Sequence, residues 1–309
     1  MALNIIFMGT PKFAVPILKS INNSNHNILE VYTKPPKKMD RGQKVNFSPI
    51  HKFSEIINLP VRHPELLDTK KEYENIKNLK PDIVVVVAYG KILPSKLLSL
   101  KNIKFINVHA SLLPKWRGAA PIQRAIMSSD NESGVSIMKI VPKLDAGPIL
   151  LKSKIRISKD TNAEQLNNQM SELGAKLILD SLDLIEQGRE EYVAQNDKEA
   201  TYAKKISKSE SKINWDIDAK KLVAKINALY PSPGSWFELD GSRIKIIRAI
   251  EINAKGAPGD ILDNNFTIAC SKNAVQVLEL KKEGKNNMTA AQFLKGNRLE
   301  IGRNINGKI

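Results

Sequence analysis

The chain has little of what metal-held or disulfide-held proteins depend on. Cys270 is its single cysteine, so no disulfide forms within the chain and no metal site rests on thiolates. That thiol falls in the apolar run Phe266-Thr267-Ile268-Ala269-Cys270, where a small core residue is expected. The four histidines, His26, His51, His63 and His109, lack metal-ligand spacing, and no metal is expected. Gly9-Thr10-Pro11 follows the first strand-like run, where a dinucleotide fingerprint would sit. The G-x-G-x-x-G pattern is absent there, which argues against NAD. No Walker A sequence offers a phosphate cradle for ATP, and no G-x-S-x-G elbow serves a serine hydrolase. Long apolar runs are missing too. The N-terminal stretch to Met8 is too short to span a bilayer and lacks a basic flank and a cleavage site. A cytoplasmic protein without membrane attachment is expected, and a monomer, since no coiled-coil stretch is present.

What the chain has in excess is positive charge. Lys and Arg number 48 against 32 Asp and Glu, a formal net charge of +16. Such an excess suits a polyanionic partner, nucleic acid ahead of a membrane surface. The lysines run through the whole chain, so a general lysine bias accounts for part of it. A length of 309 residues with 42% hydrophobic content suits two domains, each able to bury a core.

The pattern along the chain predicts an α/β first half. Strands are expected at 4–8, 28–32, 82–88, 105–108 and 135–141, and a helix at 12–20. The run Ile83-Val84-Val85-Val86-Val87 is continuous and β-branched, as in a strand covered on both faces. Strands alternating with helices argue for a doubly wound, mostly parallel sheet of Rossmann-like type. Thr161-Asn162-Ala163-Glu164 has capping-box spacing and opens a predicted helix to about Ile185. Residues 189–206 are charged and weakly periodic and read as a linker between a domain at 1–188 and another at 207–309. In the second domain a helix is expected at 219–229. Short strands follow at 236–239, 243–249, 266–269 and 275–280, punctuated by Gly and Asn, as in a small β-barrel.

The chemistry concentrates in Asn107-Val108-His109-Ala110-Ser111-Leu112-Leu113-Pro114 and in Leu144-Asp145-Ala146-Gly147. The first run leaves a strand, where open α/β sheets bind ligands, and it carries an amide, an imidazole and a hydroxyl. An asparagine amide can donate to a developing oxyanion. Imidazole, with an ordinary pKa of ~6.5, can donate or take a proton near neutral pH. A carboxylate can orient that ring or relay a proton through water. Singly, each residue has an ordinary structural explanation as cap, satisfied histidine or turn former.

Together these segments resemble the folate-dependent formyltransferases, within them the branch that acts on methionyl-tRNA. The resemblance begins at Ile6-Phe7-Met8-Gly9-Thr10-Pro11. It continues through Val87-Ala88-Tyr89-Gly90-Lys91-Ile92-Leu93-Pro94, the two runs above and Trp116-Arg117-Gly118-Ala119-Ala120-Pro121. It ends at Thr201-Tyr202-Ala203 and Pro231-Ser232-Pro233-Gly234-Ser235-Trp236. It implies formyl transfer from 10-formyltetrahydrofolate to the α-amine of initiator methionyl-tRNA, with Asn107, His109 and Asp145 as the catalytic set. Ser111, Leu112, Leu113 and Pro114, with Ile92 and Leu93, would contact folate, and the second domain would be OB-like. Ala146 stands where the family often has Thr.

The basic, Pro- and Gly-containing segment from Lys34 to Lys44 has charges suited to phosphates. In the resembled family the loop here enters the tRNA acceptor end, and Arg41-Gly42 matches its Arg-Gly. Pro36-Lys37-Lys38 departs from the usual Asp-Arg-Pro or Asp-Lys-Pro while keeping positive charge. Arg41, Lys44, Lys204 and Lys205 are the expected tRNA contacts. Two alternatives remain open: formylation of a sugar nucleotide or purine precursor at the same site, and a non-catalytic RNA-binding protein on the same fold.

Overall fold

Five consecutive β-branched residues at 83–87 leave a strand no polar face to turn toward water, and all five are buried in the middle of a sheet. The structure, a computed structural model, describes residues 1–39 and 44–306. In chain order its elements are β1 (Asn4–Gly9), α1 (Ala14–Asn22), β2 (Asn27–Tyr32), β3 (Lys37–Met39), β4 (Lys44–Asn46), α2 (Pro49–Ile56), β5 (Val61–Arg62) and α3 (Lys70–Leu79). Next come β6 (Ile83–Val87), α4 (Ser95–Leu98), β7 (Lys104–His109), β8 (Arg117–Gly118), α5 (Pro121–Met127), β9 (Glu132–Lys139), β10 (Ile149–Arg156) and α6 (Ala163–Glu186). The remainder is β11 (Tyr202–Ala203), α7 (Ala219–Leu229), β12 (Ser235–Leu239), β13 (Ser242–Ile252), β14 (Thr267–Ala269), β15 (Ala274–Lys282), β16 (Asn287–Thr289) and α8 (Ala290–Gly296).

Contacts divide the chain into two units. One comprises Met1–Gly118, Ser133–Ile155 and Asn167–Ala203; the other comprises Ala119–Glu132, Arg156–Leu166 and Lys204–Ile309. The first unit is built on a seven-stranded sheet in the order β10-β9-β7-β6-β1-β2-β5. The pairs β1/β2, β1/β6, β6/β7 and β2/β5 are parallel, and β7/β9 is antiparallel. Alternate residues serve opposite faces. Ile6, Met8, Val84 and Val86 join Tyr32, Ile76 and Phe105 in one cluster. On α6, a Cβ at Gly174 would meet Ile17 and Val108 at 3.2 Å, so that helix packs tightly on α1 and β7. The chain runs outward from β1 through β2 to β5, then returns to β6 and β7 on the other side. That reversal between β1 and β6 is the topological switch point where such sheets open a crevice at their carboxyl ends.

The second unit carries an antiparallel half-barrel, β12-β13-β15-β14 with β16 paired to β15. Its core stacks Phe266 on Phe293 at 5.5 Å and sets Trp215 edge-on to Phe237 at 5.5 Å. Cys270 is buried in that core, and burial pushes its thiol up to about 12. The α7 helix spans the expected residues, starts on an Asp218 cap, and α5 packs against it.

Two local features differ from the sequence reading. The box that opens α6 is one residue later than expected. Asn162 Oδ1 accepts from Gln165 N at 2.9 Å, and Gln165 Oε1 accepts from Asn162 N at 3.0 Å. Thr161 is buried and its hydroxyl is turned to Ser158, accepting from Ser158 N at 3.0 Å. Of residues 189–206, read as linker, 189–203 are bonded into the first unit. Val193 and Ile149 exchange two backbone hydrogen bonds of 2.8 Å, and β11 pairs in parallel with β8. A segment held by partners in distant loops carries no periodicity of its own.

Candidate active site

Strand alternation sends Asn107 and His109 to the same face of β7, at its carboxyl end. Asn107 is half-buried, and no hydrogen bond among the described residues occupies its side chain. His109 is 6% exposed. Its Nε2 lies 3.0 Å from the Trp116 carbonyl oxygen. A carbonyl only accepts, so that nitrogen carries the proton and the neutral ring presents its lone pair at Nδ1. Nδ1 faces Asp145 Oδ2 at 3.8 Å. A proton arriving at Nδ1 would therefore meet a carboxylate. The arrangement can donate to an oxyanion, take a proton and stabilise the charge that results.

The Asp145 loop is tightly determined. Asp145 has φ +43°, a left-handed conformation that costs about 1–2 kcal/mol outside glycine. Its Oδ2 accepts from Gly118 N at 2.8 Å, which ties the loop to the segment after β7. A Cβ at Gly147 would lie 1.8 Å from the Lys139 carbonyl oxygen, so only glycine fits against the end of β9. Gln195 Nε2 donates to the carbonyls of Asp145 at 2.9 Å and Gly147 at 2.7 Å. Arg117, its side chain fully buried, donates through Nε and Nη2 to Gln195 Oε1 at 3.0 and 2.8 Å. Its Nη1 sits 2.8 Å from Asp197 Oδ1 but off the line of its N–H bonds, an ion contact without an aligned hydrogen bond. The Lys143 ammonium and then the Arg117 guanidinium hold the Asp197 carboxyl below the ordinary range.

The expected folate residues divide in two. Ser111 is fully buried, its hydroxyl donating to Lys115 O at 2.6 Å, and Leu113 packs with Met138 and Ile149. Both hold the turn after β7. Leu112 and Pro114 are half-buried beside them. Ile92, by contrast, is 92% exposed in the loop after β6, with Leu93 half-buried next to it. A large apolar side chain left in water at the switch point fits a wall for a flat ring. Thr10 Oγ1 donates to the Tyr89 carbonyl at 2.8 Å and links the loops that follow β1 and β6. Of the expected tRNA contacts, Arg41 lies outside the described residues, and of Lys44 only the backbone, in β4, is described. Lys204 and Lys205 are exposed in the second unit. Sequence reasoning missed Gln195 and Thr201. Thr201 Oγ1 accepts from Trp116 N at 2.9 Å and steadies the residue whose carbonyl holds His109.

Among the described residues, His26, Asp183 and Glu186 form a cluster of metal-ligand types. His26 Nδ1 accepts from Leu3 N at 3.3 Å, which places the ring proton on Nε2, toward Asp183. That nitrogen has no lone pair for a metal while the bond to Leu3 stands. No described helix is long and apolar enough to cross a membrane.

A strand-end amide, imidazole and carboxylate on a switch-point sheet are side chains whose chemistry suits group transfer. The family model for formyl transferase matches residues 3–182, and that for the formyl transferase C-terminal domain matches 205–298. The chain belongs to the formyl transferase family. It is 45% identical over 307 residues to a methionyl-tRNA formyltransferase of Pelagibacter ubique, covering 99% of each chain. It is 42% identical over 294 residues to that of Paracoccus denitrificans, covering 95% of this chain and 97% of the relative. Two solved structures share the fold. HypX from Aquifex aeolicus in complex with tetrahydrofolic acid matches with a TM-score of 0.66 at 17% identity, over 95% of this chain and 47% of that one. The sugar 3N-formyltransferase WlaRD, with dTDP and 5-N-formyl-THF, matches at 0.65 and 19% identity, over 93% and 100%.

Proposed function

We propose that the chain transfers the formyl group of 10-formyltetrahydrofolate to the α-amine of methionyl-tRNA, giving formylmethionyl-tRNA for translation initiation. The observation that carries this reading is the grouping of Asn107, His109 and Asp145 at one sheet rim, in a chain that aligns nearly end to end with relatives named for that activity. The donor, when bound, supplies a formyl carbon on a nitrogen that departs once protonated. Asn107 donates its amide N–H to the formyl oxygen as negative charge gathers there. As the amine nitrogen bonds to the formyl carbon, His109 takes a proton from it at Nδ1, and Asp145 stabilises the imidazolium. His109 then returns that proton to the departing folate nitrogen as the old C–N bond breaks, so the transfer is balanced. Ile92 and Leu93, with Leu112 and Pro114, wall the ring, while Ser111 and Leu113 hold the turn beneath it.

The RNA is held mainly through its backbone charge, with Arg41, Lys44, Lys204 and Lys205 as contacts. The enzyme acts as a cytoplasmic monomer and needs no metal, NAD or ATP for this chemistry. Labelled formyl donor offered with charged initiator tRNA, uncharged tRNA or a sugar nucleotide tests the reading. Label is expected on the charged tRNA alone; label on the sugar nucleotide, or on nothing, would overturn it. The affinity for tRNA should fall steeply with salt, by about tenfold or more between 50 and 200 mM.

A further inference from the structure

The segment 193–203 touches both halves of the candidate site at once. Through Val193 it pairs with Ile149, just beyond the Asp145 loop. Through Gln195 it bridges the carbonyls of Asp145 and Gly147. Through Thr201 it receives Trp116 N on its hydroxyl and Arg117 N, at 2.9 Å, on its carbonyl. The two loops it joins are the ones that orient His109 and present Asp145. One side chain does most of the joining. Gln195 uses both amide hydrogens on the Asp145 turn and its oxygen on the buried Arg117 guanidinium.

We infer that Gln195 is a positioning residue for the formyl-transfer chemistry. It clamps the left-handed Asp145 turn to Arg117 so that the carboxylate stays against His109 Nδ1. The inference rests on the proposed function for its rate predictions and on geometry alone for its structural ones. The physical need is specific. Asp145 is in a strained backbone conformation, and its carboxylate is already 3.8 Å from the ring nitrogen, beyond hydrogen-bond reach. A further displacement of about 1 Å is enough to cost a catalytic group on the order of 10²-fold. The two ends of Gln195 have separable jobs. Its oxygen satisfies Arg117, which a carboxylate would also do. Its nitrogen satisfies two carbonyls, which a carboxylate would repel.

Gln195→Glu is therefore the deciding variant, with Gln195→Ala beside it. In the full-length enzyme Gln195→Glu should keep its thermal transition, lower kcat about 10- to 100-fold, and leave KM for donor and tRNA within about twofold. The ¹⁵N imidazole signals of His109 should shift relative to the parent, because Asp145 no longer faces Nδ1. Parent-like kcat in Gln195→Glu, or a raised KM with kcat intact, would overturn the inference. Loss of folding in Gln195→Ala leaves the decision with the Glu variant, whose pairing to Arg117 is retained. If the parent itself fails to formylate methionyl-tRNA, the functional reading falls and the imidazole spectra decide. Superimposable His109 signals in parent and Gln195→Glu sink the clamp, and displaced ones uphold it.

Discussion

Among the described residues of the first unit, the polar networks around Arg62 and Arg117 differ in where their bonds end. Arg62, on edge strand β5 and 28% exposed, reaches Glu30 at 3.2 Å, Glu72 at 3.3 Å and Asn75 at 3.0 Å. Asn75 in turn donates to Glu30 at 2.7 Å and to the Tyr32 hydroxyl at 2.8 Å. Side chains there chiefly satisfy other side chains. Desolvation, the largest cause, drives the Tyr32 hydroxyl above its ordinary range and keeps it neutral. Arg117, fully buried, works through Gln195 onto backbone carbonyls of a strained turn that carries Asp145. A network closed on itself stabilises the fold. One that terminates on the backbone of a loop in the proposed site fixes geometry, and its loss is expected in the rate before the melting curve.

That contrast can be broken by measurement. The largest expected effect is that of His109→Ala, which should lower kcat by about 10²–10⁴ while the thermal transition is kept. A rate constant equal to the parent's would remove His109 from the chemistry. Next, Arg62→Met leaves Glu30 and Glu72 without their cation. With partial exposure discounted it should destabilise by about 2 kcal/mol in urea titration, with kcat unchanged. A kcat loss without a stability loss would put the edge network in the wrong class. Arg117→Lys keeps the charge and loses the fork, so kcat should fall about tenfold; a drop in stability with kcat intact would make Arg117 equivalent to Arg62. The smallest effect belongs to a pair in the second unit. Arg124 holds Glu210 bidentately at 2.6 and 3.1 Å and lowers its carboxyl from 4.5 to about 2. A carboxyl depressed in the folded state adds stability in full above about pH 4.5 and loses it as pH falls through about 2. Glu210→Gln should cost about 1 kcal/mol at pH 7, and the gap to the parent should close toward pH 2. A gap independent of pH would reassign the loss to packing.

Much of the fold was legible because its signals are local. Ile83 to Val87 reads as a doubly covered strand and is one, and Asn107 and His109 two residues apart on a strand share a face. Ala219 to Leu229 reads as an amphipathic helix and is one. The site was legible as far as its motifs run. Asp145 enters it from a separate loop, a proximity that the resemblance implied and no spacing could show. Gln195 was out of reach. It is 50 residues from Asp145, in a charged stretch without periodicity, because its partners are carbonyls and a guanidinium contributed by other loops. The misplaced capping box has the same cause at short range: Thr161 has the right spacing, but its burial and its bond to Ser158 claim the hydroxyl.

By itself the amino-acid sequence determined the alternation of strands and helices, the positive charge, the lack of a second cysteine to pair with Cys270 and the residue types able to move a formyl group. Periodicity and side-chain chemistry are properties of neighbours along the chain. The tertiary structure alone decided which His109 nitrogen is free, how near Asp145 lies to it, and that a stretch resembling a linker holds both in place. Those are distances between residues far apart in the chain, set by which buried polar groups find partners once the sheet has brought their loops together.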